Sequence, residues 1–521
     1  MRRFRSAALL VLILILATLG AQAQAPPPAL DALVERVRAT FDVPGISLAI
    51  VKDDHVVLAQ GYGVRTLGRP AAVDAGTLFA LASNTKVFTA TSLGLLVEEG
   101  KVAWDAPVIQ YLPWFRLSDP YVTRELTVRD LLVHRSGLGL GAGDLLWWPP
   151  STYERREVAE RLRFLPLATS FRSAYAYDNV LYLVAGEVIQ ATSGQSWEDF
   201  VRTRILARVG MTASQPRYDA AANGGNVASP HAPIEGTVTA VSPFASDNTN
   251  PAGGILSNAT DMARWMRVLL RRGQLDDGSR LVSEATWREI STLVTPMPNP
   301  DPPPELAPLE TFVQGYALGL NVREYRGHLV LTHTGGLPGY VSRVLLIPDI
   351  NLGVAVLTNQ ESGDAFNAIA YSVADAYLGG PLADWVAQFE RARARQSART
   401  AEAEAKTSQA RDAASTPSLA LERYAGVYAD AWYGDVVIER TGSGLTLRFA
   451  KTPALTGRLE HWQHDTFVVR WTDRELRADA FITFWLKPDG SVAEARMQAA
   501  SPAVDFSFDF QDLVLRPTGR P

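Results

Sequence analysis

Apolar positions in residues 29–42 fall at Leu30, Leu33, Val34, Val37 and Phe41, the spacing of a helix with one buried stripe. Pro44-Gly45 breaks that pattern. Two apolar runs of strand length follow, 46–51 and 56–64, joined by the polar turn 52–55. Residues 84–99 are apolar on most faces and stop at Gly100, which predicts a buried helix closed by a glycine. Further helices are predicted over 128–134, opened by a capping box of Thr127 and Asp130, and over 180–192, 196–208, 260–272, 283–293 and 364–378. Between them, 210–258 reads as loop, and the proline-rich run 297–308 demands an irregular crossing. Strand patterns return at 317–323, 330–333, 341–347 and 352–357.

Two early strands, a later run of strands and helices between them predict an α/β chain of the α+β type. Its sheet is mostly antiparallel and flanked by helices, because the repeating rhythm of a doubly wound parallel fold is missing. After 385 the composition turns to Ala, Arg, Glu, Gln, Ser and Thr, and 386–418 reads as a linker. Strand patterns at 436–440, 445–449, 466–471, 482–487 and 506–510, separated by glycine turns, predict a small all-β barrel or sandwich over 419–521. The first large domain then occupies 26–385.

At the N-terminus Arg2, Arg3 and Arg5 precede an apolar run, 7–19, and two small-residue sites that end at Ala23 and Ala25. That is the pattern of a cleaved signal peptide, 1–25, and it predicts a periplasmic or secreted protein. The run is short for a membrane span, so an uncleaved anchor is the lesser alternative. The chain has no cysteine, which excludes disulfides, thiolate metal sites and a cysteine-linked lipid. Removing the leader arginines takes the formal charge from −5 to −8, an acidity that argues against a nucleic-acid surface.

Three short stretches carry candidate chemistry. Ser83 and Lys86 lie three residues apart at the mouth of the predicted helix, so both project from its first turn. A serine hydroxyl needs a base, and a lysine becomes one only where burial lowers its pKa. Tyr177-Asp178-Asn179 sits between a loop and a helix, where a tyrosine oxygen can relay a proton and an amide can hold a substrate carbonyl and the lysine. His333-Thr334-Gly335-Gly336 ends a strand, where glycines let a substrate approach and a backbone N–H can face an oxyanion. Trp147 and Trp148, between proline-rich flanks, read either as packed core or as an apolar wall over a cleft.

In this order and with these separations, the stretches resemble the motifs of the β-lactamase-related serine hydrolases: class C β-lactamases, D-Ala-D-Ala carboxypeptidases, D-aminopeptidases and related esterases. Ser83 and Lys86 match the Ser-x-x-Lys motif. Tyr177 and Asn179 match the Tyr-x-Asn motif, and His333-Thr334-Gly335 is similar to the third. The residues 127–138, 251–257 and 334–340 also look familial, and the likeness covers about 30–378. It implies a β-lactamase/transpeptidase-like fold, no metal or organic cofactor, and a small-molecule or peptide substrate. It also implies an acyl-enzyme on Ser83, with Lys86 and Tyr177 moving protons, the N–H groups of Ser83 and Gly336 holding the oxyanion, and Asn179, His333 and Gly335 binding substrate. β-Lactamases usually carry lysine where this chain has His333. With an ordinary histidine pKa roughly a quarter of the molecules would be charged there at pH 7, which favours peptidase or esterase work over β-lactam turnover. A β-lactamase or carboxypeptidase and a catalytically silent binding protein are the alternatives. Tyr424-Ala425-Gly426-Val427-Tyr428 and the strands after it resemble the lipocalin-like module of some of these hydrolases, which implies a role in covering the cleft or in forming a homo-oligomer.

Overall fold

The computed structural model describes residues 25–218 and 225–519. The expected leader, apart from Ala25, lies outside them. An eight-stranded antiparallel sheet forms the centre of the first domain. Its strands run in the order His55–Gly63, Gly45–Lys52, Leu352–Thr358, Tyr340–Ile347, His328–Leu337, Asn321–Tyr325, Gln314–Tyr316 and Thr295–Pro296. The central strands are buried on both faces, which is why they read as continuous apolar runs. In Gly45–Lys52, Ile46, Leu48 and Ile50 face one core with the helices Leu30–Phe41 and Gly363–Leu378. Ala49 and Val51 face the other, with Ala259–Leu270 and Lys86–Glu98. The same alternation divides Leu352, Val354 and Val356 from Ala355 and Leu357. Three layers result, and the strand end that carries His333 lies between sheet and helices.

Local chemistry moved several boundaries. The helix expected from Thr260 begins at Ala259, because the Asn258 side chain accepts the Asp261 N–H at 2.9 Å. Asp130 takes both the N–H and the hydroxyl of Thr127, as a capping box should, but only a 3-10 turn, Arg129–Leu132, follows it. The loop 210–258 contains a hairpin, His231–Ile234 with Thr237–Ala240. The stretch read as a linker carries a 25-residue helix, Trp385–Gln409, anchored by buried Trp385, Val386 and Phe389.

A second antiparallel sheet of eight strands, from Gly426–Asp430 to Arg516–Pro517, curls into a nearly closed barrel. Arg516–Pro517 pairs with Gly426–Asp430, and Leu515 just before it bridges to Ala495 on the strand Val492–Ala499. The barrel sits on the helical half of the first domain. One continuous apolar core takes in Leu145, Trp148 and Tyr153 from the first domain and Trp432, Tyr433 and Phe508 from the barrel. Polar contacts frame this seam: Thr152 N–H to the Lys451 carbonyl at 2.8 Å, and Arg477 to Glu361 at 2.6 Å. The segment 506–510, expected as a strand, is irregular up to the 3-10 turn Phe510–Asp512. Aromatics at every second position give it the period of a strand, but the first two pack on the other domain rather than in a sheet. Phe506 lies against Tyr177 and Phe508 against Trp148, while Phe510 stacks on Trp471 inside the barrel.

Candidate active site

Ser83 sits in a 3-10 turn, Ala82–Thr85, that leads directly into the helix Lys86–Glu98. The turn begins at Ala82 with φ of 47°, a left-handed conformation that costs a residue with a side chain roughly 1–2 kcal/mol. Ser83 is the half-buried exception in a wholly buried stretch, and it lines a cavity of about 370 Å³.

Lys86, one turn further on, is buried completely. Its Nζ lies 3.0 Å from Ser83 Oγ, 2.8 Å from Asn179 Oδ1 and 3.0 Å from the Ala252 carbonyl. The last two atoms can only accept, so they fix two N–H bonds of the amine and leave its third position facing Ser83. Burial pushes the Lys86 pKa down to about 7, against the opposing pull of Asp144 and Asp178. At neutral pH about half the molecules therefore hold a free amine whose lone pair faces the serine oxygen.

The Tyr177 hydroxyl donates to Ser83 Oγ at 2.8 Å, and burial holds its pKa well above that of an ordinary phenol. Electrostatics thus separates two groups that the sequence leaves equivalent. Lys86 can take a proton near pH 7, and Tyr177 can only give one. Asn179 donates from Nδ2 to Asp144 Oδ2 at 2.9 Å, which turns its oxygen towards Lys86. Asp144, buried completely, also accepts from Trp147 Nε1 at 2.9 Å. Burial raises Asp144 to about 7 and Asp178 to about 8.

His333 lines the same cavity, but the expected partial charge is absent. Burial, reinforced by Lys86, lowers its pKa to about 3. Its Nδ1 lies 2.5 Å from the Thr334 carbonyl, which can only accept, so Nδ1 carries the proton and Nε2 accepts from the Tyr316 hydroxyl at 2.7 Å. The two glycines after Thr334 part company. Gly336 lines the cavity with open space at its Cα. Gly335 does not line it; its Cα turns onto Leu81 and Ala82, beneath the serine turn.

Trp147 and Trp148 meet both of their readings. They are 4% and 8% exposed, pack on Phe244, and still form one wall of the cavity. A further part of the rim comes from the barrel, as Asp505, Phe506 and Ser507. Phe506 seats its ring on Gly141, where a Cβ would lie 2.8 Å from it. Among the described residues lining the cavity, none is lysine or arginine, and Asp505 is the one formally charged side chain. Asp144, Tyr316 and the segment 505–509 carried no motif. Asp144 lies inside the Trp147 loop as one acid among many, and 505–509 is separated from Ser83 by more than 400 residues of chain.

The Beta-lactamase family model matches residues 30–378, and a model for a domain of unknown function (DUF3471) matches 410–517. The unguisins hydrolase of Aspergillus violaceofuscus is 29% identical over 445 residues, which is 80% of this chain and 76% of that protein. Penicillin-binding protein 4 of Amycolatopsis lactamdurans is 28% identical over 62% of this chain and 83% of its own. Among solved structures, the octameric penicillin-binding protein homologue from Pyrococcus abyssi superposes with a TM-score of 0.59 at 22% identity, covering 90% of this chain and 97% of that one. A D-stereospecific amidohydrolase from a Streptomyces species gives 0.54 at 23% identity over 68% and 100%. At these identities the structural matches speak for the fold.

Proposed function

The chain belongs to the Beta-lactamase family of serine hydrolases, and from that premise we propose that it cleaves a neutral or amine-bearing amide or ester through an acyl-enzyme on Ser83. One observation carries the reading: a buried Lys86 amine 3.0 Å from Ser83 Oγ, aimed there by two oxygens that can only accept. The free amine takes the Oγ proton as Oγ attacks the substrate carbonyl carbon. The oxyanion forms against the N–H groups of Ser83 and Gly336. As the C–N or C–O bond breaks, the leaving group takes the Tyr177 proton, which the Lys86 ammonium replaces. Water then gives a proton to Lys86 and attacks the acyl carbon, and Oγ leaves with a proton restored. A silent binding protein has no use for this arrangement, since a buried lysine unpaired with a close carboxylate is costly to keep.

An organophosphonate ester probe tests the nucleophile. Peptide mass mapping is expected to find a single adduct on Ser83, formed faster as pH rises through about 7, where Lys86 loses its proton. An adduct on another serine would overturn the assignment.

The charge of the lining supports the substrate class. With His333 neutral and no lysine or arginine among the described residues lining this cavity, a carboxylate beside the scissile bond has no cationic partner on its walls. A short nitrophenyl ester and a D-alanyl anilide are expected to turn over, and a chromogenic cephalosporin poorly. A carboxylate placed next to the scissile bond is expected to raise KM about tenfold over its neutral amide, the worth of one charge-assisted hydrogen bond. Rapid cephalosporin turnover would instead favour the β-lactamase or carboxypeptidase reading.

The cavity adjoins a second one of about 560 Å³ along the seam between the domains, and the two share Trp148, Gly336, Leu337 and Asp505. Pro149, Phe244, Pro338, Leu476 and Phe508 make its walls largely apolar. We assign it to the distal part of a substrate longer than one residue. Extending a neutral ester or amide substrate by one leucine-sized group is expected to lower KM roughly tenfold, the transfer energy of a buried side chain. A flat KM across the series would remove the assignment. Because the barrel completes this seam within one chain, an oligomer is not needed to form the site. Export belongs to the proposal as well, supported by the basic and then apolar leader; among the described residues no helix is long and apolar enough to cross a membrane.

A further inference from the structure

Asp509 is an acid that the hydrolytic cycle does not use, and it lies fully buried where the barrel meets the Asp144 turn. It belongs to the barrel, and its two oxygens accept the backbone N–H of Gly143 at 2.7 Å and of Leu145 at 3.0 Å. Those two donors flank Asp144, at the start of the 3-10 turn Asp144–Leu146. Ser507, two residues before Asp509, lies close enough to Asp144 to favour its charged form. From there a single line of hydrogen bonds leads to the nucleophile. Asp144 Oδ2 takes Asn179 Nδ2 at 2.9 Å, Asn179 Oδ1 takes Lys86 Nζ at 2.8 Å, and Nζ stands 3.0 Å from Ser83 Oγ.

The weak link in this line is the amide. The two ends of an asparagine are nearly the same shape, and only its partners decide which end faces which way. The Asp144 oxygen that accepts from the NH2 keeps that end of the amide on its own side, and this sets the amide oxygen towards Lys86. Should the turn relax, Asn179 could rotate and present NH2 to an amine whose N–H bond needs an acceptor there. A turn with two buried N–H groups does not hold its place unaided, since a buried donor left without an acceptor is costly. Water is a poor substitute there, since Gly143, Leu145 and Asp509 are all buried.

We infer that Asp509 is a positioning residue for the reaction: by clamping the turn around Asp144 from the barrel, it fixes the Asn179 amide and, through it, the Lys86 amine. The inference rests on the Ser83–Lys86 hydrolase reading. It gives the second domain a role in the chemical step, beyond roofing the cleft.

The test is a double-mutant cycle in the full chain with Asp509→Asn and Asn179→Ala, scored by kcat and KM on a neutral nitrophenyl ester. Asparagine at 509 keeps the volume but sets an NH2 against one of the two backbone donors. Asp509→Asn is expected to lower kcat by up to about 100-fold, the cost of an ångström-scale misplacement, with KM nearly unchanged. In the Asn179→Ala background the same change is expected to lower kcat no further, because the line is already cut. Losses that multiply, or a change confined to KM, would overturn the inference and leave Asp509 as part of a roof. Should Asp509→Asn fail to fold, Asp509→Glu, which keeps both acceptor oxygens but displaces them by one methylene, is read in the same cycle. Ser83→Ala runs beside them as the control. A rate that survives it would remove the hydrolase reading itself, an outcome distinct from full activity in Asp509→Asn, which removes the inference alone.

Discussion

Ser83→Ala is expected to lower kcat about a million-fold, and Lys86→Ala about ten-thousand-fold, with both variants folded. The serine change removes one oxygen from a half-buried position beside open cavity. The lysine change is harsher locally, since it leaves Asn179 Oδ1 and the Ala252 carbonyl without their donor. The informative comparison is Lys86→Arg. It keeps the charge and can still donate, but a guanidinium does not give up its proton in this pH range, so a base is lost while an electrostatic partner is kept. If Lys86 works as the base, Arg is as inactive as Ala. Recovery of more than a tenth of wild-type kcat in Lys86→Arg would show that only the charge matters and would sink the mechanism. The pH profile has a fixed sign. The active form is the deprotonated amine, so activity rises with pH and is half-maximal near 7, and at pH 6 about a tenth of the molecules remain competent. Asp144 and Asp178 titrate close by, at about 7 and about 8, so the limb belongs to the Lys86–Asp144–Asp178 cluster as a unit.

How much of this was legible depended on whether a signal was local. The helix at 30–41 and the strands at 45–52 and 352–358 follow from the period of their apolar residues, because the layers they pack between are uniform. Ser83 and Lys86 could be paired from spacing, since one helical turn decides their contact. Their approach to Tyr177, Asn179 and His333 came from likeness to a family and not from any physical rule that joins residues 90 or 250 positions apart. Charge states were out of reach. His333 looked like a partly charged group only because its burial, which sets its pKa, is a property of three packed layers. The segment 506–510 reads as a strand and is not one, for the opposite reason. Its period-two aromatics are a true strand signal, and what overrides it is a partner surface more than 300 residues upstream, on Gly141, Trp148 and Tyr177. Asp144 and Asp509 offered nothing to read, as an acid next to a tryptophan and an acid between phenylalanines. Their roles exist only where the barrel meets the first domain.

Adjacent glycines in one motif should respond in opposite ways to the same change, and this separates the fold's demands from the substrate's. At Gly335 a Cβ would press on the Leu81 carbonyl, 2.6 Å from Ser342 Oγ and 2.9 Å from Ala82 Cβ. Those atoms hold the serine turn. Ser342 Oγ donates to the Leu81 carbonyl at 2.6 Å and accepts from Asn84 Nδ2 at 2.8 Å, on either side of Ala82 and Ser83. None of them is the free end of a flexible side chain, so the strand or the turn must move. Gly335→Ala is expected to cost about 1–3 kcal/mol of stability, the usual penalty for overpacking a core. It is also expected to lower kcat roughly 100-fold for every substrate alike, because the displaced atom is the nucleophile. At Gly336 a Cβ meets nothing within 4 Å and points into cavity space. Gly336→Ala is therefore expected to leave the melting temperature unchanged and to act through KM, more strongly for bulky substrates than for a short ester. Thermal unfolding and kinetics on two esters of different size read both variants. A Gly335→Ala protein with wild-type stability and kcat would show that the serine turn is not braced by this strand. The left-handed conformation of Ala82 would then have to be held by the helix side of the turn alone.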